Sequence, residues 1–302
     1  MHFGRVENLE GISFDFPNDS PRTEKFLALP REAKTQTFIG CPIWSSRKWV
    51  GKLYPPGTKT ADYLSSYSEV FSTVEVNSTF YHLLDRSRIA QWKEQTTPSF
   101  RFCPKVFRGI TEDLSSYQLR PLILKFCDSI SGFEDRLGLV FAQFAETFSP
   151  HQMPLLKKFL DVWPTEIPLA IELRHPQWFQ NHALLDEIVN LFYRHRVATV
   201  ITDTAGRQDA LHFSLTQPKV LIRFQGNEGH PSEDKRLSAW SNRIQKWTQS
   251  SLEEIYFFTH QPEDENIPDT AFKAIEAILG EDKTLPLKPK FVPPQNTQLE
   301  LI

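Results

Sequence analysis

Several charged residues of this 302-residue chain stand inside short apolar runs, at a spacing of two. In Thr73-Val74-Glu75-Val76-Asn77 the polar pair is Glu75 and Asn77, and in Ala170-Ile171-Glu172-Leu173-Arg174 it is Glu172 and Arg174. Cys103 and Lys105 alternate in the same way, as do Phe141 and Gln143, and Leu221, Arg223 and Gln225. Side chains of a strand alternate between its faces, so each set shares a face. The intervening Val74, Val76, Ile171, Leu173, Ile222 and Phe224 suit the opposite, apolar side. A charge buried without a partner costs several kcal/mol, at roughly 2–7 for a polar group alone, so these faces must meet one another or water. Carboxylates held beside cations in one pocket are a setting for shifted pKa values and acid–base chemistry.

The elements that would position them alternate along the chain. Strands are expected at Thr37–Cys41, Thr73–Asn77, Arg101–Val106, Leu137–Phe144, Leu169–Arg174, Ala198–Thr202, Val220–Phe224 and Ile255–Phe258, the sixth giving way to Asp203. Helical patterns separate them: Asp62–Val70, Ser87–Gln95 behind Asp85, Pro121–Ile130, a helix opened by Ser149-Pro150, Leu184–His195, Asp234–Thr248 and Pro268–Leu279. Ala205–Leu211 is too short for a full helix. Strand starts about 31 residues apart suit βα units of roughly 30 residues. Eight such units predict an α/β fold, a (β/α)8 TIM barrel, with functional groups at the C-terminal strand ends. An open doubly wound sheet is disfavoured, since no G-x-G-x-x-G is present. The barrel is expected over residues 37–287, with an N-terminal extension, 1–36, packed on it and containing a helical turn at Lys25–Glu32. A Pro-containing tail, 288–302, follows.

Composition narrows the function classes. The net charge of -3 argues against coating nucleic acid by bulk charge. No apolar run reaches the roughly 18–20 residues of a membrane span, so no membrane role is expected. Three cysteines, Cys41, Cys103 and Cys127, with no CxxC suit reduced thiols in a cytoplasmic protein.

Several segments together resemble one family. Val74-Glu75-Val76-Asn77-Ser78-Thr79-Phe80-Tyr81 is similar to a signature of the YecE-like family, domain of unknown function 72. Phe100–Lys105 with Ile110-Thr111, and Ile171–Phe179 with its Glu172, Arg174, His175 and Trp178, resemble two further family segments. So do Gly40, Trp44, Trp49 and Tyr54-Pro55, Val140–Phe144 and Leu221–Phe224, a likeness over residues 38–280. The resemblance implies a TIM barrel and no reaction. Pro42-Ile43, Ala145, Gln225 and Thr259-His260-Gln261 depart from the family pattern.

The expected site has Glu75, Lys105, Glu172 and Asp203 as catalytic groups. Asn77, Tyr81, Gln143, Arg174, His175, Arg223, Trp44 and Trp178 would contact substrate. The leading expectation is a hydrolase for a small anionic, phosphate-containing ligand, held by Lys105, Arg174 and Arg223. Glu75 or Glu172 would be general base. The cofactor is open; a divalent metal on Glu75, Glu172, Asp203 and His175 or His260 is one option. One alternative is a glycosidase with Glu75 and Glu172 as its carboxylates, although the second and fifth strands suggest too wide a separation. Another is Schiff-base chemistry at Lys105. The non-enzymatic alternative is a nucleotide- or nucleic-acid-binding protein using Arg108, Arg120, Arg194, Arg196, Arg207 and Arg236.

Overall fold

The computed structural model describes residues 3–29 and 34–280. Its strands are β1 (Gln36–Cys41), β2 (Thr73–Val76), β3 (Arg101–Pro104), β4 (Val140–Gln143), β5 (Leu169–Glu172), β6 (Ala198–Asp203), β7 (Lys219–Gln225) and β8 (Glu254–His260). Helices α1 (Pro21–Leu27), α2 (Tyr63–Ser68), α3 (Ser78–Tyr81), α4 (Arg86–Glu94), α5 (Arg108–Thr111) and α6 (Leu119–Ile130) belong to the first half. Helices α7 (Met153–Val162), α8 (Gln177–Gln180), α9 (His182–Arg194), α10 (Pro231–Thr248) and α11 (Ile267–Leu279) belong to the second.

All neighbouring strands are parallel, in the order β3-β2-β1-β8-β7-β6-β5-β4. The seam between β3 and β4 is spanned by single bridges, Phe102 with Leu137 and Lys105 with Phe141. There Gly138 N donates to Phe102 O at 2.8 Å and Val106 N to Phe141 O at 2.9 Å. The eight strands thus form a nearly closed barrel with helices between them, the expected TIM-barrel fold.

Strand alternation divides the apolar residues into two layers. Phe38, Cys103, Leu139, Phe141, Ala170, Ala198, Val200, Leu221, Tyr256 and Phe258 fill the barrel. Val74, Val76, Ile171, Ile222 and Phe224 face outward with the helices. Inside, Phe38 and Tyr256 stack at 5.0 Å, and Ala170 and Ala198 leave room for such rings. The inner layer is apolar at mid-depth and becomes polar toward the C-terminal strand ends, which is where the site lies.

Most element boundaries differ from expectation by a turn or less. The fourth strand is shorter, because Leu137 joins only through a bridge. Asp85 holds the N-cap position of α4 without a side-chain bond to it. Ser149 N donates to Gln152 Oε1 at 3.1 Å, and Pro150 opens a 3-10 turn that runs into α7. The same Ser-Pro start recurs at Ser20-Pro21. There Ser20 Oγ accepts from Thr23 N at 3.2 Å, so α1 begins at Pro21, ahead of the turn expected at Lys25–Glu32. The described part of the extension lies against the barrel: Thr23 Oγ1 donates to Phe213 O at 2.8 Å, and Asp19 accepts from Trp247 Nε1 at 3.2 Å. The boundary at 287 and the tail 288–302 lie outside the described residues.

Candidate functional site at the mouth of the barrel

The mouth is organised around Arg223, the inward residue near the end of β7. Its Nε and Nη2 donate to Glu75 Oε1 and Oε2 at 2.8 and 3.1 Å. Its Nη1 donates to Glu172 Oε2 at 2.8 Å. One guanidinium therefore bridges carboxylates from β2 and β5, two strands well apart in the sheet order.

Each carboxylate has further donors. Glu75 receives Asn77 Nδ2 at 3.3 Å, and His260 Nε2 lies 3.1 Å from its Oε1. Glu172 receives Gln143 Nε2 at 2.7 Å, Arg174 Nε at 2.7 Å and Thr202 Oγ1 at 3.1 Å. Glu75, Glu172 and Arg223 are buried. Burial alone would raise both carboxyl groups. Their partners outweigh it: the Arg223 charge and the hydrogen bond from His260 hold Glu75 well below the carboxylate range, and the Arg174 and Arg223 charges hold Glu172 down at about 2. Burial lowers His260, which is neutral near pH 7; its Nε2–H tautomer donates to Glu75.

Lys105 is placed differently. It follows β3, and its Nζ donates to the neutral Gln143 Oε1 at 2.8 Å and sits 4.1 Å from the centre of the Phe80 ring. Burial and the Arg223 charge lower it to about 8, against the pull of Glu172 and Glu75. Among the described residues no carboxylate makes a salt bridge to it. Glu75 and Glu172 against Lys105, Arg174 and Arg223 leave this cluster with one surplus positive charge when Lys105 is protonated.

The other expected residues divide. Asn77 and Gln143 belong to the cluster and also orient it: Asn77 Nδ2 reaches Pro42 O at 2.8 Å, tying β2 to the first loop. Tyr81 is exposed beside Phe80, and half-buried His175 accepts from Gln177 N through Nδ1. Trp44 packs edge-on against Trp92 at 4.9 Å. Trp178 is a correction: its indole is buried, stacks on Phe148 and donates to Phe148 O at 2.7 Å, so it presents no face to a ligand. Asp203 is a second. Ala198 and Val200 face inward, so the phase brings Thr202 to Glu172 and turns Asp203 toward the helices. There Asp203 meets Arg236 Nη2 at 2.7 Å and Trp240 Nε1 at 2.9 Å, both from α10. Thr202 was the residue missed at this position, and His260, expected only as an optional metal ligand, instead donates to Glu75. Counting by twos from Val200, and from Tyr256 and Phe258, finds both.

No group of three or more His, Cys, Asp or Glu side chains among the described residues is arranged to hold a metal ion. Arg223 stands between Glu75 and Glu172, and Asp203 faces away, so the donor set proposed for a divalent metal does not assemble. Of the arginines considered for nucleic acid, Arg236 is buried on Asp203, Arg207 is held by Asp209, and Arg194 and Arg196 lie where α9 leads into β6, at the opposite end of the barrel from the mouth.

The family described as "Protein of unknown function DUF72" matches residues 38–296. The chain belongs to the DUF72 family. It is 30% identical over 267 residues to UPF0759 protein YecE of Escherichia coli K12, covering 82% of this chain and 94% of that protein. UPF0759 protein YunF of Bacillus subtilis is 24% identical over 200 residues, 63% of this chain and 70% of its own. Two crystal structures of a DUF72 family protein from Enterococcus faecalis superpose with TM-scores of 0.62 and 0.65 at 21% and 20% identity. They cover 74% and 81% of this chain and 95% and 96% of theirs, which supports the barrel. Glu75, Lys105, Glu172, Arg174, Arg223 and His260 all lie within the DUF72 match, and residues before 38 lie ahead of it. No helix among the described residues is long and apolar enough to cross a membrane.

Proposed function

We propose that the mouth binds a small phosphate-containing anion and that this DUF72 protein hydrolyses it. The supporting observation is the surplus cation: Glu75 and Glu172 are consumed by Arg223 and Arg174, while Lys105 leans on a neutral amide. A phosphate entering there would meet an uncancelled ammonium beside guanidinium groups, the pairing that phosphate favours. With a pKa of about 8, Lys105 holds the anion as a cation and exchanges a proton near neutral pH. The chain Glu172–Gln143–Lys105 makes Glu172 and Gln143 positioning residues. Both carboxylates are held ionised and saturated with donors. They are weak bases, and neither supplies the protonated acid that a glycosidase needs.

The test is phosphate release from a panel of phosphate monoesters and diesters by the wild type, Lys105→Arg and Lys105→Met. Loss of a general acid–base group lowers the rate by roughly 10²–10⁴-fold, expected here for Lys105→Met. A wild type that turns over none of the panel removes the hydrolase reading.

The missing carboxylate partner of Lys105 favours a second reading, in which its amine attacks a carbonyl carbon. Borohydride reduction in the presence of pyruvate would then leave a covalent adduct on Lys105. Labelling spread over surface lysines alone rejects it.

A further inference from the structure

Phe3 is only 3% exposed, although it precedes the barrel by more than thirty residues and its neighbours from Arg5 to Asn8 are exposed. Its ring rests on cations: the Arg174 guanidinium carbon is 4.4 Å from the ring centre and that of Arg207 is 5.0 Å. Both arginines are held by bonds that do not involve Phe3. Arg174 Nε donates to Glu172 Oε1 at 2.7 Å. Arg207 Nη1 donates to Arg174 O at 2.8 Å, while its Nε and Nη2 grip Asp209 at 2.7 and 2.8 Å. The slot would therefore keep its shape without the phenylalanine, and preformed sites bind with less ordering cost.

Among the described residues the segment is tied to the stretch after β6. Gly206 N donates to Gly4 O at 2.8 Å, and Thr204 Oγ1 is 3.0 Å from Gly4 O and 3.3 Å from Phe3 O. Close approach is permitted by glycine on both sides. Gly4 has a φ of +66°, and a Cβ there would lie 2.4 Å from the Thr204 methyl group. A Cβ on Gly206 would lie 2.7 Å from Val6 Cγ1. Arg5 to Asn8 are exposed, and local release of such a segment is inexpensive. The occupant lies ahead of the DUF72 match, whereas Arg174 and Arg207 lie within it.

We infer that the Arg174–Arg207 slot is a binding subsite for a planar ring carried by the phosphate-containing substrate, and that Phe3 fills it in the free chain. The inference rests on the anion reading above, because Arg174 joins both places: it is bonded to Glu172 of the mouth cluster and stacked on the ring in the slot. Guanidinium groups attract the face of an aromatic ring by roughly 0.5–2 kcal/mol. A ligand with its phosphate near Lys105 and a ring in the slot would be an aryl phosphate, or an ester whose alcohol carries a planar base.

Calorimetric titration of phenyl phosphate and of inorganic phosphate into the wild type, Phe3→Ala, and Phe3→Ala combined with Arg207→Gln tests it. Phe3→Ala should bind phenyl phosphate roughly tenfold more tightly than the wild type. Adding Arg207→Gln should remove that gain, which simple loosening of the terminus would not do. Equal phenyl phosphate affinity in wild type and Phe3→Ala, with both melting cooperatively, overturns the slot. Inorganic phosphate decides the other matter separately. If neither protein binds it but Phe3→Ala still gains phenyl phosphate, the slot stands and the anion reading falls.

Discussion

Two buried arginines of this DUF72 protein have opposite surroundings. Arg236 and Asp203, both buried, form a pair under α10, where Trp240 supplies the remaining donor and the charges cancel. Arg223 lies inside the barrel, where it joins Glu75 to Glu172 and has Arg174 and Lys105 at its open side. The outer pair is sealed and balanced; the inner cluster is balanced only until Lys105 is counted. A sealed pair fixes how a helix sits on a strand, while an unbalanced cluster at an opening has charge left for a ligand.

The largest effect should come from breaking the sealed pair. Asp203→Ala leaves Arg236 buried without its counter-ion, and stability should fall by about 3–5 kcal/mol in denaturant titration. The folded fraction should bind inorganic phosphate as the wild type does. Loss of phosphate binding would blur the distinction between the two arginines.

The inner cluster should respond to pH at both ends. The folded-state pKa of Glu172, about 2, lies below its ordinary 4.5, so the folded form holds fewer protons in that window. Its contribution is present above pH 4.5 and is lost as pH falls toward 2, a change of up to about 3 kcal/mol. Glu172→Gln should flatten this limb of the stability curve. Lys105 acts at the other end. Its pKa of about 8 lies below the ordinary 10.5, so the unfolded chain binds more protons between those values and stability rises with pH there. The gain, again at most about 3 kcal/mol, should vanish in Lys105→Met, measured as unfolding free energy at pH 7.5 and 10.5. An unchanged slope would mean that Lys105 is solvated. The smallest effect is expected for Asn77→Ala, which removes one donor to Glu75 and the tie to Pro42 O; about 1 kcal/mol should be lost in thermal melting.

What sequence could and could not tell follows from range. Glu75, Lys105, Glu172, Arg174 and Arg223 were readable because alternation along one strand is a local property, and it put each on the inner face. Asp203 was misplaced for the same local reason: at a strand end one residue of phase separates the mouth from the helix layer, and Thr202 was the one facing in. Trp178 was expected to contact substrate, but helix α8 turns its indole onto Phe148. Alternation could not say which carboxylate takes which cation: Glu75 takes Arg223 and His260, and Lys105 turns to Gln143. Phe3 gave no signal at all, since its partners stand some 170 residues or more along the chain.

The surplus charge is tested most directly by titrating inorganic phosphate into wild type and Lys105→Met at pH 7 and pH 9.5. The wild type should bind at pH 7 and weaken at pH 9.5 as Lys105 discharges above about 8, while Lys105→Met should bind at least roughly tenfold more weakly and show no such decline. Equal affinity in the two proteins at pH 7 would contradict the account.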